Sequence, residues 1–297
     1  MPSFSRRNFL ALAAAAAQAA RAQTRPYEGR SLVVITAHAD DFTIFAGGTI
    51  AKLIDQGYTG HLIRVTNDEK DSYDLDLGET SHRNTVEMRE AARILGINDV
   101  HSLDFRNDEM DAISETEVRA RLILWFRKLK PWTIFTFDPS AKYEENPDHK
   151  KTARAAEDAA WTAQGHLFLE EQFTLGLNRW AVLDRYYWAR APENQDVNKV
   201  VDISATIDRK IRAVQAHKTM MRHTAYSLKE KLAEAHLRLP LLDTINEESV
   251  NRLIEIETRE TAAAVGRKHG MQYAEFFHYI PIAAENSYVM KNAVPLK

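Results

Sequence analysis

The first half of the chain alternates short apolar runs with segments whose apolar residues fall at helical spacing. The runs are rich in Val, Ile, Leu and Phe, which is typical of strands buried on both faces of a parallel sheet. The predicted strands span residues 31–36, 61–66, 100–105 and 132–137, and the predicted helices span 49–56, 82–96 and 115–129. This alternation predicts a Rossmann-like α/β fold, with a mostly parallel sheet flanked by helices.

The second half of the chain follows a looser pattern. It predicts a helix over residues 151–163, an aromatic strand over 180–188, and two long charged helices over 207–237 and 248–268. The sequence shows no internal repeat and no linker rich in Pro, Gly or Ser. One domain over residues 23–297, with a helical C-terminal part, is therefore the simplest interpretation.

The first 22 residues are typical of a twin-arginine export signal. Arg6 and Arg7 are followed by an alanine-rich apolar stretch, and Ala20-Arg21-Ala22 has the form of a cleavage site. The alternative is an alanine-rich amphipathic helix that stays on the protein. We expect cleavage after Ala22 and a periplasmic or extracellular location. The apolar stretch is too short to remain as a membrane anchor.

Charge and cysteine content narrow the chemistry. The net charge of −3 becomes −6 once the signal and its three arginines are removed, which argues against binding to nucleic acid or to an anionic membrane surface. The chain contains no cysteine, so thiolate metal sites, cysteine nucleophiles and disulfides are excluded. A bound metal must take its ligands from His, Asp, Glu or carbonyl oxygen.

Polar segments follow each of the four predicted strands, where ligands bind in parallel α/β sheets. His38 and Asp41 follow the first strand with H-x-x-D spacing, and His149 follows the fourth. Together they could close a metal site of two histidines and one carboxylate that leaves positions open for water. Asp40, between two of these candidate ligands, would then serve as the general base. The alternative is that these side chains only cap helix ends.

Other types of active site lack their motifs. The chain has no G-x-G-x-x-G dinucleotide fingerprint, no G-x-x-x-x-G-K-[ST] phosphate loop and no G-x-S-x-G nucleophile elbow. Gly47 and Gly48 lie well past the end of the first strand. We interpret them as the start of a helix that packs closely on the sheet.

A larger set of motifs occurs in order along the chain. It comprises Ala37-His38-Ala39-Asp40-Asp41, Gly47-Gly48-Thr49-Ile50-Ala51, the segment 87–96, Pro147-Asp148-His149, Val201-Asp202-Ile203-Ser204, Lys210-Ile211, Ala216-His217 and Tyr273-Ala274-Glu275-Phe276. Together these motifs resemble the PIG-L/LmbE family of metal-dependent N-deacetylases, over about residues 30 to 280. The resemblance implies Zn²⁺, with Fe²⁺ as the alternative, on His38, Asp41 and His149, and Asp40 as the base.

The resemblance also implies a reaction, the hydrolysis of an amide on a small N-acylated molecule such as an N-acetylglucosamine derivative. Zinc would polarise the amide carbonyl and acidify a water molecule. Asp40 would take a proton from that water and return it to the leaving amine. The acyl group, the sugar and the oligomeric state are left open.

The chain departs from the family pattern near the predicted site. Asn146 stands where the family usually has a histidine that helps to stabilise the oxyanion, so we expect Asn146 or Tyr143 to take that role. The family's substrate-binding arginine corresponds to Asn84, and the adjacent Arg83 is a second candidate for contact with substrate.

Three further residues are assigned by position and by the resemblance. His217 falls on the apolar face of its predicted helix, where it is either a core residue or a substrate contact. Asp148 and Glu275 are expected to hold other site residues in place. Two other functions stay open: hydrolysis of a non-sugar amide conjugate at the same metal site, and non-catalytic carbohydrate binding by an exported protein.

Overall fold

The computed structural model describes residues 25–283 and 287–295, and the predicted export signal lies outside them. The strands are β1 Ser31–Thr36, β2 Thr59–Thr66, β3 Asp99–Phe105, β4 Pro131–Phe137, β5 Asp184–Trp188, β6 Lys199–Asp202 and β7 Ala274–Ile280. The helices are α1 Asp41–Asp55, α2 Leu77–Leu95, α3 Glu115–Leu129, α4 Pro147–Thr162, α5 Glu171–Thr174, α6 Ile207–Gln215, α7 Lys218–Glu234, α8 Glu247–Arg267 and α9 Tyr288–Asn292. In this part of the chain no helix has the length and apolar character needed to cross a bilayer.

The seven described strands form one sheet in the order β3-β2-β1-β4-β5-β7-β6. Neighbouring strands from β3 to β5 run parallel, while β7 pairs antiparallel with both β5 and β6. The predicted Rossmann-like, mostly parallel sheet is therefore confirmed. The chain moves outward from β1 to β3 and then returns to place β4 on the other side of β1. This switch point is where open α/β sheets bind ligands.

Side chains of the central strand β1 alternate between two apolar layers. Leu32 and Val34 belong to the layer that also contains α1, α2, α6, α7 and α8, whereas Val33 and Ile35 belong to the layer that contains α3 and α4. All four side chains are fully buried because helices cover both faces of the strand. The C-terminal helices therefore complete one face of the sheet.

Helix α1 begins earlier than we predicted. It starts at Asp41, so Gly47 and Gly48 lie in the middle of the helix rather than at its start. A Cβ atom on Gly48 would come within 2.8 Å of Ile203, which shows that the glycine permits close packing against the chain after β6. The prediction is wrong because these paired glycines form a contact surface inside the helix and do not mark its start.

The predicted helix over residues 207–237 is in fact two helices, α6 and α7. The chain leaves helical geometry at His217, where φ is −81° and ψ is 60°. Glu87 of α2 holds the first turn of α7, because its carboxylate accepts hydrogen bonds from Thr219 N at 2.8 Å and from Thr219 Oγ1 at 2.9 Å. This partner is distant in sequence, so the local apolar pattern does not reveal the break.

Candidate metal centre

Three of the predicted ligands converge at the switch point of the sheet. His38 and Asp41 follow β1, and His149 lies in the first turn of α4 after β4. His38 Nδ1 lies 3.1 Å from His149 Nε2, and His149 Nε2 lies 3.3 Å from Asp41 Oδ1. The third separation, His38 Nδ1 to Asp41 Oδ2, is 3.8 Å. All three side chains are buried.

These separations fit a common metal ion. Tetrahedral coordination with bonds of about 2.0–2.1 Å places ligand atoms about 3.3 Å apart, close to the distances between His38, Asp41 and His149. Two imidazoles and one carboxylate are a donor set suited to zinc or iron, and they leave coordination positions open. The residues present therefore fit the metal that the motifs imply.

Each histidine of this centre has a carboxylate beside its outer nitrogen. His38 Nε2 lies 3.2 Å from Asp148 Oδ2, and Asp148 is itself fixed by hydrogen bonds from Asp108 N at 2.6 Å and Met110 N at 3.2 Å. His149 Nδ1 lies 3.1 Å from Glu144 Oε1. Such carboxylate–histidine pairs fix the orientation of metal-binding rings.

Asp148 therefore lies where we expected a positioning residue. Glu144 was missed because nothing in the sequence separates it from the adjacent Glu145.

Asn146 organises the start of α4. Its Oδ1 accepts hydrogen bonds from Asp148 N at 2.8 Å and His149 N at 3.4 Å, and Pro147 occupies the first helical position. Asn146 is therefore the N-cap of α4, a role that we had not predicted for it. Its side chain also lines the cavity at the metal centre. With Oδ1 used by the backbone, the Nδ2 group is the hydrogen-bond donor that Asn146 can offer to a ligand.

Asp40 and Asp41 do not behave as ordinary helix caps. Asp40 is at the N-cap position of α1 but makes no side-chain capping hydrogen bond. Asp41 Oδ2 instead accepts hydrogen bonds from His38 N at 2.8 Å and Thr36 Oγ1 at 3.1 Å. Burial alone would raise the pKa of Asp41, but His149 and His38 lower it to about 2. The Asp41 carboxylate is therefore ionised and oriented as a ligand.

The pKa of the Asp40 carboxyl is shifted in the opposite direction to that of Asp41. Burial, followed by repulsion from Asp41, raises the pKa of Asp40 to about 8. A divalent cation on the neighbouring ligands would lower this pKa again, because opposite charge favours the ionised form. A carboxyl with a pKa brought near neutrality, in the cavity and beside the ligands, is suited to exchange protons with a reacting group.

The cavity at this centre has a volume of about 230 Å³. Its lining combines the predicted residues with side chains that the sequence analysis did not assign. The latter are Ile44, Phe45, Asp71, Arg190, Met220, His223 and Thr224. Asp71 belongs to the polar segment after β2, and Arg190 follows β5, so the strand-end rule contains a signal for both. His223 carries no such signal.

Tyr143, Arg83 and Asn84 do not lie where we predicted. Tyr143 is 83% exposed and has a left-handed backbone with φ 56°, so its side chain does not line the cavity. Arg83 is on the surface, where its Nε donates to Glu79 Oε1 at 2.6 Å. Asn84 is fully buried, and its Nδ2 donates to the carbonyl oxygens of the acidic loop at residues 68 and 71. Asn84 therefore holds this loop in place by hydrogen bonds to its backbone.

His217 and Glu275 lie behind the centre. His217 is fully buried against Phe42, with ring centroids 6.1 Å apart, and does not line the cavity. Burial lowers the pKa of His217 to about 3, so the ring is neutral. Glu275 accepts hydrogen bonds from Gly48 N at 2.9 Å and from Thr49 N at 2.7 Å. Glu275 thus holds the middle of α1 rather than a metal ligand.

Comparison with known proteins gives a consistent assignment. Residues 33–160 match the PIG-L family model, described as GlcNAc-PI de-N-acetylase. The chain is 28% identical over 255 residues to diacetylchitobiose deacetylase from Thermococcus kodakarensis, a match that covers 85% of this chain and 84% of that protein. The resemblance to the PIG-L/LmbE family inferred from the motifs is confirmed.

Two further relatives show that the fold carries more than one activity. N,N'-diacetylchitobiose deacetylase from Pyrococcus horikoshii, solved with its inhibitor MPG, superposes with a TM-score of 0.70 at 26% identity, covering 87% of this chain and 86% of that one. The chain is also 27% identical over 193 residues to 4-oxalmesaconate hydratase from Pseudomonas putida, which covers 63% of this chain and 72% of that protein.

Proposed function

Because residues 33–160 match the PIG-L family model, we propose that this chain is a metal-dependent hydrolase of N-acylated amino sugars. It removes an acyl group, acetyl in the simplest case, from the sugar nitrogen. The observation that carries this proposal is the convergence of His38 Nδ1, His149 Nε2 and the Asp41 carboxylate in one cavity. Two diacetylchitobiose deacetylases among the relatives support the substrate class.

His38, Asp41 and His149 would hold the metal. When bound, the ion supplies a Lewis acid for the amide carbonyl and lowers the pKa of water. Zinc suits this donor set, and iron is the second candidate. Asp148 and Glu144 keep both imidazoles in the orientation that leaves His38 Nδ1 and His149 Nε2 directed at the centre.

Asp40 moves the proton in this mechanism. It takes a proton from the attacking water and delivers it to the nitrogen of the leaving amine as the C–N bond breaks. The products are a carboxylic acid and a free amine. Asn146 Nδ2 donates a hydrogen bond to the developing oxyanion, because the Oδ1 of that amide already caps α4.

Hydratase activity, as named for the Pseudomonas putida relative, is the second candidate. It ranks second because that relative covers 63% of this chain, whereas the diacetylchitobiose deacetylase from Thermococcus kodakarensis covers 85%.

Metal analysis combined with an amine-release assay tests the proposed function. Protein purified without chelator should hold about one zinc or iron per chain and release amine from diacetylchitobiose or N-acetylglucosamine. Asp40→Asn should keep the metal while kcat falls by roughly 10²–10⁴-fold. Asp111→Asn is the matched control, because Asp111 is exposed and outside the cavity lining.

The alternatives predict different results in the same assay. Bound metal with no amine release from any N-acyl substrate would favour a carbohydrate-binding protein. Amine release from non-sugar amides alone would favour the hydrolase of a non-sugar conjugate. Water addition to an unsaturated acid, without amine release, would favour a hydratase.

We also propose that the protein is exported by the twin-arginine route. The support is the sequence around Arg6 and Arg7. Replacing both arginines by lysine should leave unprocessed precursor in the cytoplasm, and exported protein should begin at or near Gln23. Exported protein that still begins at Met1 would rule out cleavage.

A further inference from the structure

A second cavity opens beside the metal centre and shares a wall with it. Its volume is about 290 Å³. Ile44, Phe45 and Arg190 line both cavities, so the two spaces meet across α1 and the segment after β5. The rest of the second cavity is formed by α6, α8 and β7. A group bound at the metal centre could therefore extend into it without crossing the sheet.

Most of the wall of the second cavity is apolar. Phe45 and Trp188 are stacked there, with ring centroids 6.2 Å apart and an interplanar angle of 12°. Phe276, Val214 and Ala262 add further apolar surface. Ligand sites of this kind, with a largely apolar lining and few polar groups, gain affinity by removing apolar ligand surface from water.

Four charged residues line this cavity: Lys210 and Glu275 pair with each other, Arg190 pairs with Glu144, and Glu257 is exposed on α8. Lys210 Nζ donates to Glu275 Oε1 at 2.6 Å, and both side chains are buried. The Glu275 carboxylate is also engaged by the backbone N–H groups of Gly48 and Thr49. The buried ion pair is therefore satisfied within the protein, and the buried part of the wall offers a ligand mainly apolar contact.

The two cavities thus differ in what they can bind. At the metal centre, Asp40, Asp71, Asn146 and Thr224 offer donors and acceptors that match the hydroxyl groups of a sugar. The second cavity offers mainly aromatic and aliphatic surface. The proposed substrate has two matching parts. Its polar amino sugar suits the cavity at the metal centre, and its apolar acyl chain suits the second cavity.

We propose that the second cavity, which we call the acyl groove, binds the aliphatic chain of the acyl group, and that the protein favours N-acyl chains longer than acetyl. The acyl groove is the space lined by Phe45, Trp188, Val214, Ala262 and Phe276. This inference rests on the proposed function. If each carbon takes about the 30 Å³ of a liquid water, the 290 Å³ of the groove hold a chain of about ten carbons.

The test is a chain-length series measured on metal-loaded protein. N-acetyl-, N-butanoyl-, N-hexanoyl- and N-octanoylglucosamine are compared by amine release. We expect kcat/KM to rise by about twofold to fourfold for each added methylene until the groove is filled. A maximum of kcat/KM at acetyl would overturn the proposal.

A variant at the rim of the groove tests whether the groove causes the preference for long acyl chains. Thr258 of α8 lines the groove, so Thr258→Trp should lower the octanoyl-to-acetyl ratio of kcat/KM at least tenfold. Ala264→Trp is the matched control, because Ala264 is exposed on the same helix outside the groove lining. Thr261→Phe is a second rim variant in case the first does not fold. An unchanged ratio in folded rim variants would overturn the proposal.

A binding measurement separates failure of the groove from failure of the proposed function. Calorimetry on metal-loaded Asp40→Asn protein should show at least tenfold tighter binding of N-octanoylglucosamine than of N-acetylglucosamine, and Thr258→Trp should abolish the difference. If this holds without amine release by the wild type, the groove stands and the hydrolase proposal fails. If the wild type releases amine but shows no preference for chain length, the hydrolase proposal stands and the acyl groove fails.

A third outcome concerns the sugar rather than the acyl chain. Tighter binding of octyl N-acetylglucosaminide, lost in Thr258→Trp, would assign the groove to the substituent of the sugar and overturn the acyl assignment.

Discussion

The metal centre and the break between α6 and α7 both bury histidines, but with different neighbours. His38 and His149 at the metal centre each lie beside a carboxylate on the outer side of the ring, Asp148 at 3.2 Å and Glu144 at 3.1 Å. At the break, His217 packs edge-on against Phe42, and both of its nitrogens lack a hydrogen-bond partner within the described residues.

These neighbours decide the protonation of each ring. Burial lowers the pKa of all three histidines, because a charged ring is poorly solvated inside the protein. At His38, Asp148 and the nearby Asp41 raise the pKa despite burial, and at His149, Asp41 and Glu144 raise it despite burial. No carboxylate outweighs burial at His217, whose pKa falls to about 3. Burial near a site therefore does not make a ligand; a carboxylate beside the outer nitrogen and an inner nitrogen directed at the centre do.

The largest expected effect separates the two kinds of histidine directly. His149→Ala should strip most of the metal and lower kcat/KM by at least about 10³-fold, because a three-ligand site has no spare donor. His217→Leu should keep the metal and stay within about threefold of the wild-type rate. Elemental analysis and amine release measure both. Loss of metal in His217→Leu would contradict the distinction between ligand and core histidines.

A second expected effect concerns the two candidates for the oxyanion. Asn146 lines the cavity and Tyr143 does not, so Asn146→Ala should lower kcat by about 10²-fold while Tyr143→Phe changes it less than twofold. Asn146→Asp controls for lost capping, which is worth about 1 kcal/mol, because Asp restores the cap but not the donor. Asn146→His should raise kcat by adding a charged donor. A larger loss in Tyr143→Phe than in Asn146→Ala would reverse the assignment.

A smaller effect sharpens the role of the outer carboxylates. Glu144→Gln keeps the size of the side chain but removes the charge beside His149 Nδ1, so metal affinity should fall by about 10–100-fold. Competition with a metal chelator measures this fall. Glu145→Gln is the control, since Glu145 is the exposed neighbour in the same loop. Equal affinities in the two variants would show that Glu144 does not position the ring.

The smallest expected effect is on stability and concerns His217. Its folded pKa of about 3 lies below the unfolded value of 6.5, so the unfolded chain binds the proton and stability falls as the pH drops from about 6.5 towards 3. Between pH 7 and pH 5 this costs about 2 kcal/mol. His217→Leu should lose that part of the pH dependence in urea unfolding. Identical pH profiles for the variant and the wild type would contradict the buried neutral ring.

The ligands could be predicted because they depend on regular features. Strand periodicity and the parallel order place the ends of β1 and β4 side by side, so H-x-x-D after one strand and His149 after the other must meet. The same reasoning identified Asp40 as a neighbour of the ligands. These residues sit at fixed positions relative to long, well-patterned elements.

The remaining features depend on contacts that a local pattern does not contain. The left-handed backbone at Tyr143 turns that side chain outward, although the sequence around it contains no glycine. Glu275 meets the middle of α1 because β7 lies in the sheet between β5 and β6, and we had not predicted that strand. The break at His217 likewise depends on Glu87 of another helix.

The most direct test of the metal centre is anomalous diffraction from crystals of protein purified without chelator. Data collected across the zinc and iron absorption edges should show one strong peak between His38 Nδ1, His149 Nε2 and the Asp41 carboxylate, at about 2.0–2.2 Å from each. The peak should be absent in crystals of His149→Ala. A fully metallated protein whose peak lies elsewhere, or a wild-type centre without a peak at saturating metal, would contradict the account.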